Sequence, residues 1–210
     1  DNQTNSCLQA YGLLKKFYPG LPPVQMHLHK AIPIGGGLGG GSADAAFTLL
    51  LLNKKFNLDI SEEMLLQYAL ELGSDCPFFI KNTPCLATGR GEVLQPFSLD
   101  LSAYKMVLVN PGIHINTGWA FTKIKLEGPQ IPLSEIMQLP VAEWKIALFN
   151  VFEKPIFEQH PTIKEAKEQL YQNGAVYASM SGSGATVYGL FKKETPLHFQ
   201  FPGHYLVKEC

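Results

Sequence analysis

Closely spaced cysteines are missing from this sequence. Four thiols in 210 residues, Cys7, Cys76, Cys85 and Cys210, stand far apart. That excludes a dense disulfide frame and the paired thiols of a structural zinc site. They read as reduced thiols of a cytosolic protein. Neither sign of charge is in excess. A net charge of -1 gives no electrostatic footprint for nucleic acid. Long apolar runs are also lacking: the mostly apolar stretch 47–52 falls far short of a bilayer span. No segment reads as a signal peptide. Internal repeats are absent, and so is low complexity outside one glycine run. His27 and His29 alternate on one strand pattern, but no third ligand lies near them. A polar strand face accounts for them better than a metal site does. With 46% hydrophobic residues the chain reads as globular, long enough for one large domain or two small ones.

What is present is glycine, concentrated in one place. Six glycines occupy seven positions, Gly35, Gly36, Gly37, Gly39, Gly40 and Gly41, with Leu38 among them and Ser42 following. Bare backbone can turn several N–H groups toward one anion and adopt positive φ where a turn needs it. An alanine-rich apolar stretch follows, so the run enters a helix N-terminus, a ready-made phosphate site. Two familiar templates fail. A dinucleotide fold needs a second parallel strand after the helix, yet helix 42–54 is followed by another helix, 62–72. A Walker loop needs a lysine where Gly41 stands. A flexible linker would pair glycine with serine in polar surroundings. This run lies between an alternating strand pattern, 24–29, and a buried-looking helix.

The rest of the chain alternates helices and strands, an α+β pattern. Cys7, Leu8, Tyr11, Leu14 and Phe17 form a helical stripe near the start. Ser61 is placed to cap helix 62–72, with Glu62 and Glu63 in its first turn and Gly73 as its stop. Apolar segments 77–81 and 85–94 follow, the second interrupted by Gly89-Arg90-Gly91. Strands are expected over 106–110, 175–179, 186–191 and 205–208, and helices over 140–152 and 162–172. In those helices Ile146, Phe149, Ile163 and Leu170 are expected in the core. A domain boundary falls near 101–103.

Two further features carry possible chemistry. Asp75 follows a helix end and precedes Pro77, with Leu72, Phe78 and Phe79 around it. An aspartate capping a turn is the plain alternative. An apolar neighbourhood, however, suits a carboxylate that must accept a proton, as a kinase requires. Ser181-Gly182-Ser183-Gly184-Ala185 lies between two strands. It reads equally as a hairpin turn or as a close approach to phosphate.

Together these segments resemble the GHMP kinases. The resemblance rests on residues 33–46, on 72–77 around Asp75, and on Ala87-Thr88-Gly89-Arg90-Gly91-Glu92. It also rests on Pro111-Gly112 with Thr117, and on 181–185. These keep the family's order and span nearly the whole chain. The resemblance implies a ribosomal S5 domain 2-like N-terminal domain over 1–103, incomplete here, and a ferredoxin-like C-terminal domain over 104–210. It implies ATP held by Lys30, Gly35, Gly36, Gly37, Leu38, Gly39, Gly40, Gly41 and Ser42, with Ser42 also assisting Mg²⁺. Ser181, Gly182, Ser183 and Gly184 would close over the phosphates. Asp75 would take the proton of a substrate hydroxyl. The extended glycine loop favours the branch that phosphorylates a cytidine diphosphate ester of methylerythritol, with Thr117 in the substrate pocket and Phe121 stacked on the base. Another alcohol substrate, or a nucleotide-binding chain without turnover, stays open. The implied enzyme is cytoplasmic, a monomer or weak homodimer, with neither nucleic acid nor membrane as partner. The family's upstream Pro-Ala-Lys-x-Asn strand and Tyr-His pair are not in these 210 residues. The chain is therefore expected to be a piece of a longer product, poorly active alone and with an apolar face uncovered.

Overall fold

The computed structural model describes residues 5–124 and 131–210. The chain divides into two compact units: Asp1–Ala31 with Gly39–Ser98, and Ile32–Leu38 with Leu99–Cys210.

The first unit is helical. Helix α1 (Ser6–Phe17) starts where the Asn5 side chain accepts the N–H groups of Cys7 and Leu8 at 2.9 and 3.3 Å. It buries Ala10, Leu13 and Leu14. Helix α2 (Gly40–Phe56) presents Ala45, Ala46, Leu49 and Leu52 to the same core. Small alanines let two helices approach closely. Asn57 ends α2 in the left-handed region at φ 48°, a conformation asparagine tolerates. Helix α3 (Glu62–Leu72) begins with Ser61 Oγ accepting the Met64 N–H at 3.3 Å and ends at Gly73, as the sequence implies. Apolar segment 77–81 is part of a short helix, α4 (Cys76–Lys81), whose Cys76 and Ile80 are buried. Strands β1 (Cys85–Thr88) and β2 (Val93–Pro96) form an antiparallel hairpin across the glycine turn.

Residues 24–29 do not form a strand. A strand needs a ladder partner, and among the described residues this segment has none. Helix α2 also leaves Phe47 and Leu51, one turn apart, 45% and 63% exposed.

The second unit is built on one antiparallel sheet. Its strands are β3 (Tyr104–Asn110), β4 (Tyr177–Met180), β5 (Val187–Lys192) and β6 (Leu206–Glu209), in the order β4-β5-β3-β6. That is the ferredoxin-like order, with the first and third strands of the unit paired at the centre. Val107, Val109, Val187 and Phe191 pack with Ile163, Ala166 and Leu170 of a long helix, α9 (Pro161–Gln172). Gly189 admits that packing: a Cβ there would stand 3.3 Å from Leu170 Cβ and 2.9 Å from the Phe191 ring. The other face meets Trp144, with Tyr177 and Leu190 buried against it. Among the described residues no crossover helix lies between β5 and β6. Residues 193–205 are irregular and pack Leu197, Phe199, Phe201 and Tyr205 against the core instead.

Between β3 and α9 run α5 (Thr117–Lys123), α6 (Leu133–Ile136), α7 (Trp144–Ala147) and α8 (Glu153–Gln159). The single helix expected over 140–152 is broken. A 3-10 turn leads into α7, Leu148 turns extended, and Asn150 Oδ1 takes the Phe152 N–H at 2.9 Å. A short polar side chain that bonds nearby backbone competes with helix continuation. Ile146 and Phe149, expected in the core, are 88% and 67% exposed, while Ile163 and Leu170 are buried as expected.

Candidate active site

Four features of the first unit converge on the start of α2. Gly39 caps the helix at φ 65° with no side-chain hydrogen bond, so the first N–H groups of α2 have no side-chain cap. Lys30 Nζ pairs with Asp44 Oδ2 at 2.6 Å, both half-buried. The ammonium lies 3.3 Å from where a Cβ on Gly40 would stand. Lys30 thus adds a cation to the positive end of the helix dipole. Asp44, one turn into α2, was not singled out from sequence; its position just beyond the first turn was the available signal.

Helix α4 supplies the other two features. The Phe79 ring seats Gly39, since a Cβ there would meet Phe79 Cζ at 2.9 Å. The next contact joins Ser42 to Cys76 through their side chains. Burial, with a smaller push from Asp75, raises the Cys76 thiol above its ordinary range, against the Ser42 hydrogen bond. The thiol stays neutral beside the helix start. Asp75 immediately precedes Cys76 and caps α4 without a side-chain bond of its own. It is exposed, not enclosed by the apolar neighbours that its sequence context suggested. The β1–β2 turn comes up against it: a Cβ on Gly91, at φ 115°, would stand 2.8 Å from Asp75 Oδ1. Only glycine lets the turn approach the carboxylate this closely.

The second unit holds the first part of the glycine run by its carbonyls. Gly36 O accepts the Thr186 N–H at 3.1 Å and Gly37 O accepts Ser181 Oγ–H at 2.8 Å. Gly37 faces the carbonyls of Ser181 and Gly184, Gly36 faces Asn110, and Gly35 faces the His114 ring, each too close for a Cβ. Asn110, buried, donates to Thr186 Oγ1 at 2.9 Å and accepts the Gly112 N–H at 2.8 Å. With the carbonyls taken, residues 34 and 35 form a turn, and none of the N–H groups of Gly35, Gly37 and Leu38 has a backbone acceptor among the described residues. Leu38 is half-buried between these anchored glycines and Gly39.

Thr117 and Ser183 were read as separate features, and the structure brings them together at 3.2 Å between hydroxyls. Phe121, on α5, is 60% exposed, with its ring edge-on to Phe152 at 5.0 Å. Gly182 and Gly184 take positive φ in the turn after β4. His27 and His29 are exposed. Among the described residues no group of three or more His, Cys, Asp or Glu could hold a metal ion. All four cysteines are free, and no described helix is long and apolar enough to cross a membrane.

Residues 5–82 match the family model described as "GHMP kinases N terminal domain", and residues 134–198 match "GHMP kinases C terminal". A 4-diphosphocytidyl-2-C-methyl-D-erythritol kinase of Bacteroides fragilis is 52% identical over 192 residues, covering 91% of this chain and 70% of the relative. One from Azobacteroides pseudotrichonymphae is 53% identical over 190 residues, covering 90% and 71%. A crystal structure of 4-(cytidine 5'-diphospho)-2C-methyl-D-erythritol kinase superposes with a TM-score of 0.78 at 32% identity, covering 90% of this chain and 69% of that one. A homoserine kinase from Cytophaga hutchinsonii shares the fold, with a TM-score of 0.60 at 20% identity over 92% and 68% of the two chains. The chain belongs to the GHMP kinases, within the family of 4-diphosphocytidyl-2-C-methyl-D-erythritol kinases.

Proposed function

We propose that this kinase transfers the γ-phosphoryl group of ATP to the 2-hydroxyl of 4-diphosphocytidyl-2-C-methyl-D-erythritol, a step of the non-mevalonate isoprenoid pathway. The observation that carries the chemistry is the gathering, in one unit, of the open α2 N-terminus, the Lys30–Asp44 pair and Asp75 beside Gly91. The substrate rests on relatives of that name at about half identity.

Asp75 takes the proton as the hydroxyl oxygen bonds to the γ-phosphorus. The bond from that phosphorus to the β–γ bridging oxygen breaks, and ADP leaves. Such a reaction asks the protein chiefly for positioning and electrostatics. The N–H groups of the glycine run and the Lys30 ammonium supply these. Mg²⁺ fits the donors present. Ser42 offers a hard hydroxyl oxygen at the start of α2, and the ion in such sites takes few protein ligands beside the phosphates. When bound it neutralises phosphate charge. Phe121, largely exposed, offers a ring face for cytosine. Thr117 lines the substrate pocket, and the turn at 181–184 borders the phosphates. The enzyme is placed in the cytoplasm, as a monomer or weak homodimer, without nucleic acid or membrane as partner.

The test is ADP release with Mg²⁺, ATP and this substrate, run beside mevalonate and homoserine, on this chain and on the full gene product. Turnover dependent on the cytidine ester supports the reading. Turnover only on another alcohol reassigns the substrate. ADP binding without transfer from either protein refutes kinase activity.

A further inference from the structure

Asn150 and Glu153, in the second unit, touch none of the residues read as binding ATP or substrate except one, and both are committed to a single backbone segment. Asn150 uses both ends of its amide. Its Oδ1 accepts the Phe152 N–H at 2.9 Å, and its Nδ2 donates to Met180 O at 2.8 Å and to Gly182 O at 2.7 Å. One N–H at one end and two carbonyls at the other fix which atom is oxygen and which is nitrogen. Glu153 is only 9% exposed. Its Oε1 accepts the Met180 N–H at 2.8 Å and Ser179 Oγ–H at 3.2 Å, while Oε2 pairs with Lys167 Nζ at 2.6 Å.

The two side chains therefore grip both backbone polar atoms of Met180 and the carbonyl of Gly182. Met180 leads directly into the turn at 181–184. That turn and its exit present Ser181 Oγ to Gly37 O and Thr186 N–H to Gly36 O. A buried ion pair contributes little net stability when compared with apolar packing, so stability alone is a weak account of why a carboxylate and a lysine are kept here. Alignment of a specific backbone is the better account.

We propose that Asn150 and Glu153 are positioning residues for nucleotide binding: through Met180 and Gly182 they fix the turn that holds the carbonyls of Gly36 and Gly37, and so orient the N–H groups of the glycine run. The proposal rests on that run taking phosphate. The competing role is structural only, in which the pair ties α8 to the sheet and the loop is indifferent to it.

Asn150→Asp separates the two roles. It keeps the shape and the acceptor for Phe152 but replaces both donations with a carboxylate facing two carbonyls. Native-state hydrogen exchange, without nucleotide, should show the amides of Gly184 and Thr186 exchanging about tenfold faster. The β3–β5 ladder should keep its rates. ADP affinity by calorimetry should fall about tenfold, and Asn150→Asp combined with Ser181→Ala should weaken ADP no more than the worse single change. Glu153→Gln, which still offers an acceptor to Met180, should stay within about threefold of wild type while Glu153→Ala falls about tenfold. This second pair carries the test if Asn150→Asp does not fold. Faster exchange throughout the sheet, unchanged ADP affinity, additive losses in the double variant, or E153Q as impaired as E153A would each overturn the positioning role. A wild-type protein that binds no ADP would instead refute the nucleotide reading, and the proposal with it.

Discussion

Placing a methyl group on Gly91 tests whether Asp75 does the chemistry from where it stands. In Gly91→Ala the new Cβ would sit 2.8 Å from Asp75 Oδ1, whereas ordinary contact begins at 3.4 Å. The carboxylate or the turn must therefore give by about 0.6 Å. Asp75 is exposed and makes no side-chain cap bond, so the carboxylate is the part free to move. A misplacement of about 1 Å at a reacting group costs about a hundredfold in rate, so kcat should fall roughly ten- to a hundredfold. The KM for ATP should hardly change. The substitution also strains a backbone at φ 115°, which costs about 1–3 kcal/mol of stability. Gly89→Ala is the matched control. It lies in the same turn at φ 71°, and its Cβ would meet Glu92 Oε2 at 3.0 Å rather than Asp75. Both variants should lower Tm; only Gly91→Ala should lower kcat in steady-state ADP release. Equal kcat in the two would show that Gly91 serves the hairpin alone and that its approach to Asp75 is incidental.

Three other outcomes are expected. Asp75→Asn should lower kcat by roughly 10²–10⁴ with ADP affinity nearly unchanged; near-normal turnover would remove Asp75 as the base. Burial, and secondarily neighbouring Tyr188, raises the Tyr177 hydroxyl far above its ordinary value of 10.0. Above pH 10 the unfolded chain loses that proton while the folded one keeps it. Stability should therefore be full below about pH 10 and fall by up to ~1.4 kcal/mol per pH unit above it, a slope that urea denaturation should find flattened in Tyr177→Phe. Leu170→Ala, at a fully buried position facing β5, should cost about 2–5 kcal/mol in the same assay; a loss under about 1 kcal/mol would contradict the packing assigned to α9.

Local signals were legible in the sequence because their causes are local. Ser61 caps α3 three residues ahead of its partner, Gly73 stops it, and the glycine run opens α2 where the alanine-rich pattern begins. The strands expected over 106–110 and 186–191 coincide with the central pair β3 and β5. What failed depended on distant partners or competing side chains. Segment 24–29 alternates like a strand but has no described ladder partner. The span 140–152 looks helical until Asn150 turns its amide on the backbone, which leaves Ile146 and Phe149 outside. Lys30 was singled out, but its partner Asp44 was not. The anchoring of Gly37 by Ser181 joins positions 144 residues apart, beyond the reach of any periodicity.

The anchoring bears on how much the helix dipole can do. Micromolar nucleotide binding needs about 8 kcal/mol, while a helix N-terminus contributes about 0.3–1 kcal/mol to an anion and up to ~2 when partly buried. The α2 terminus and Lys30 cannot supply the whole. Hydrogen bonds to charged groups contribute about 1.5–3 kcal/mol each, so two or three backbone N–H groups from residues 35–38 would close most of the gap. They can do so only if they already point at the phosphate, because ordering a glycine backbone costs about 1–2 kcal/mol per residue and would cancel much of each bond. The carbonyls of Gly36 and Gly37 are already fixed; on the proposed reading, that would move the cost of ordering the run into folding. Gly35, Gly36 and Gly37 are then less a source of flexibility than a way to bring backbone within contact of His114, Asn110 and the turn at 181–184, where the spaces a Cβ would need are already filled.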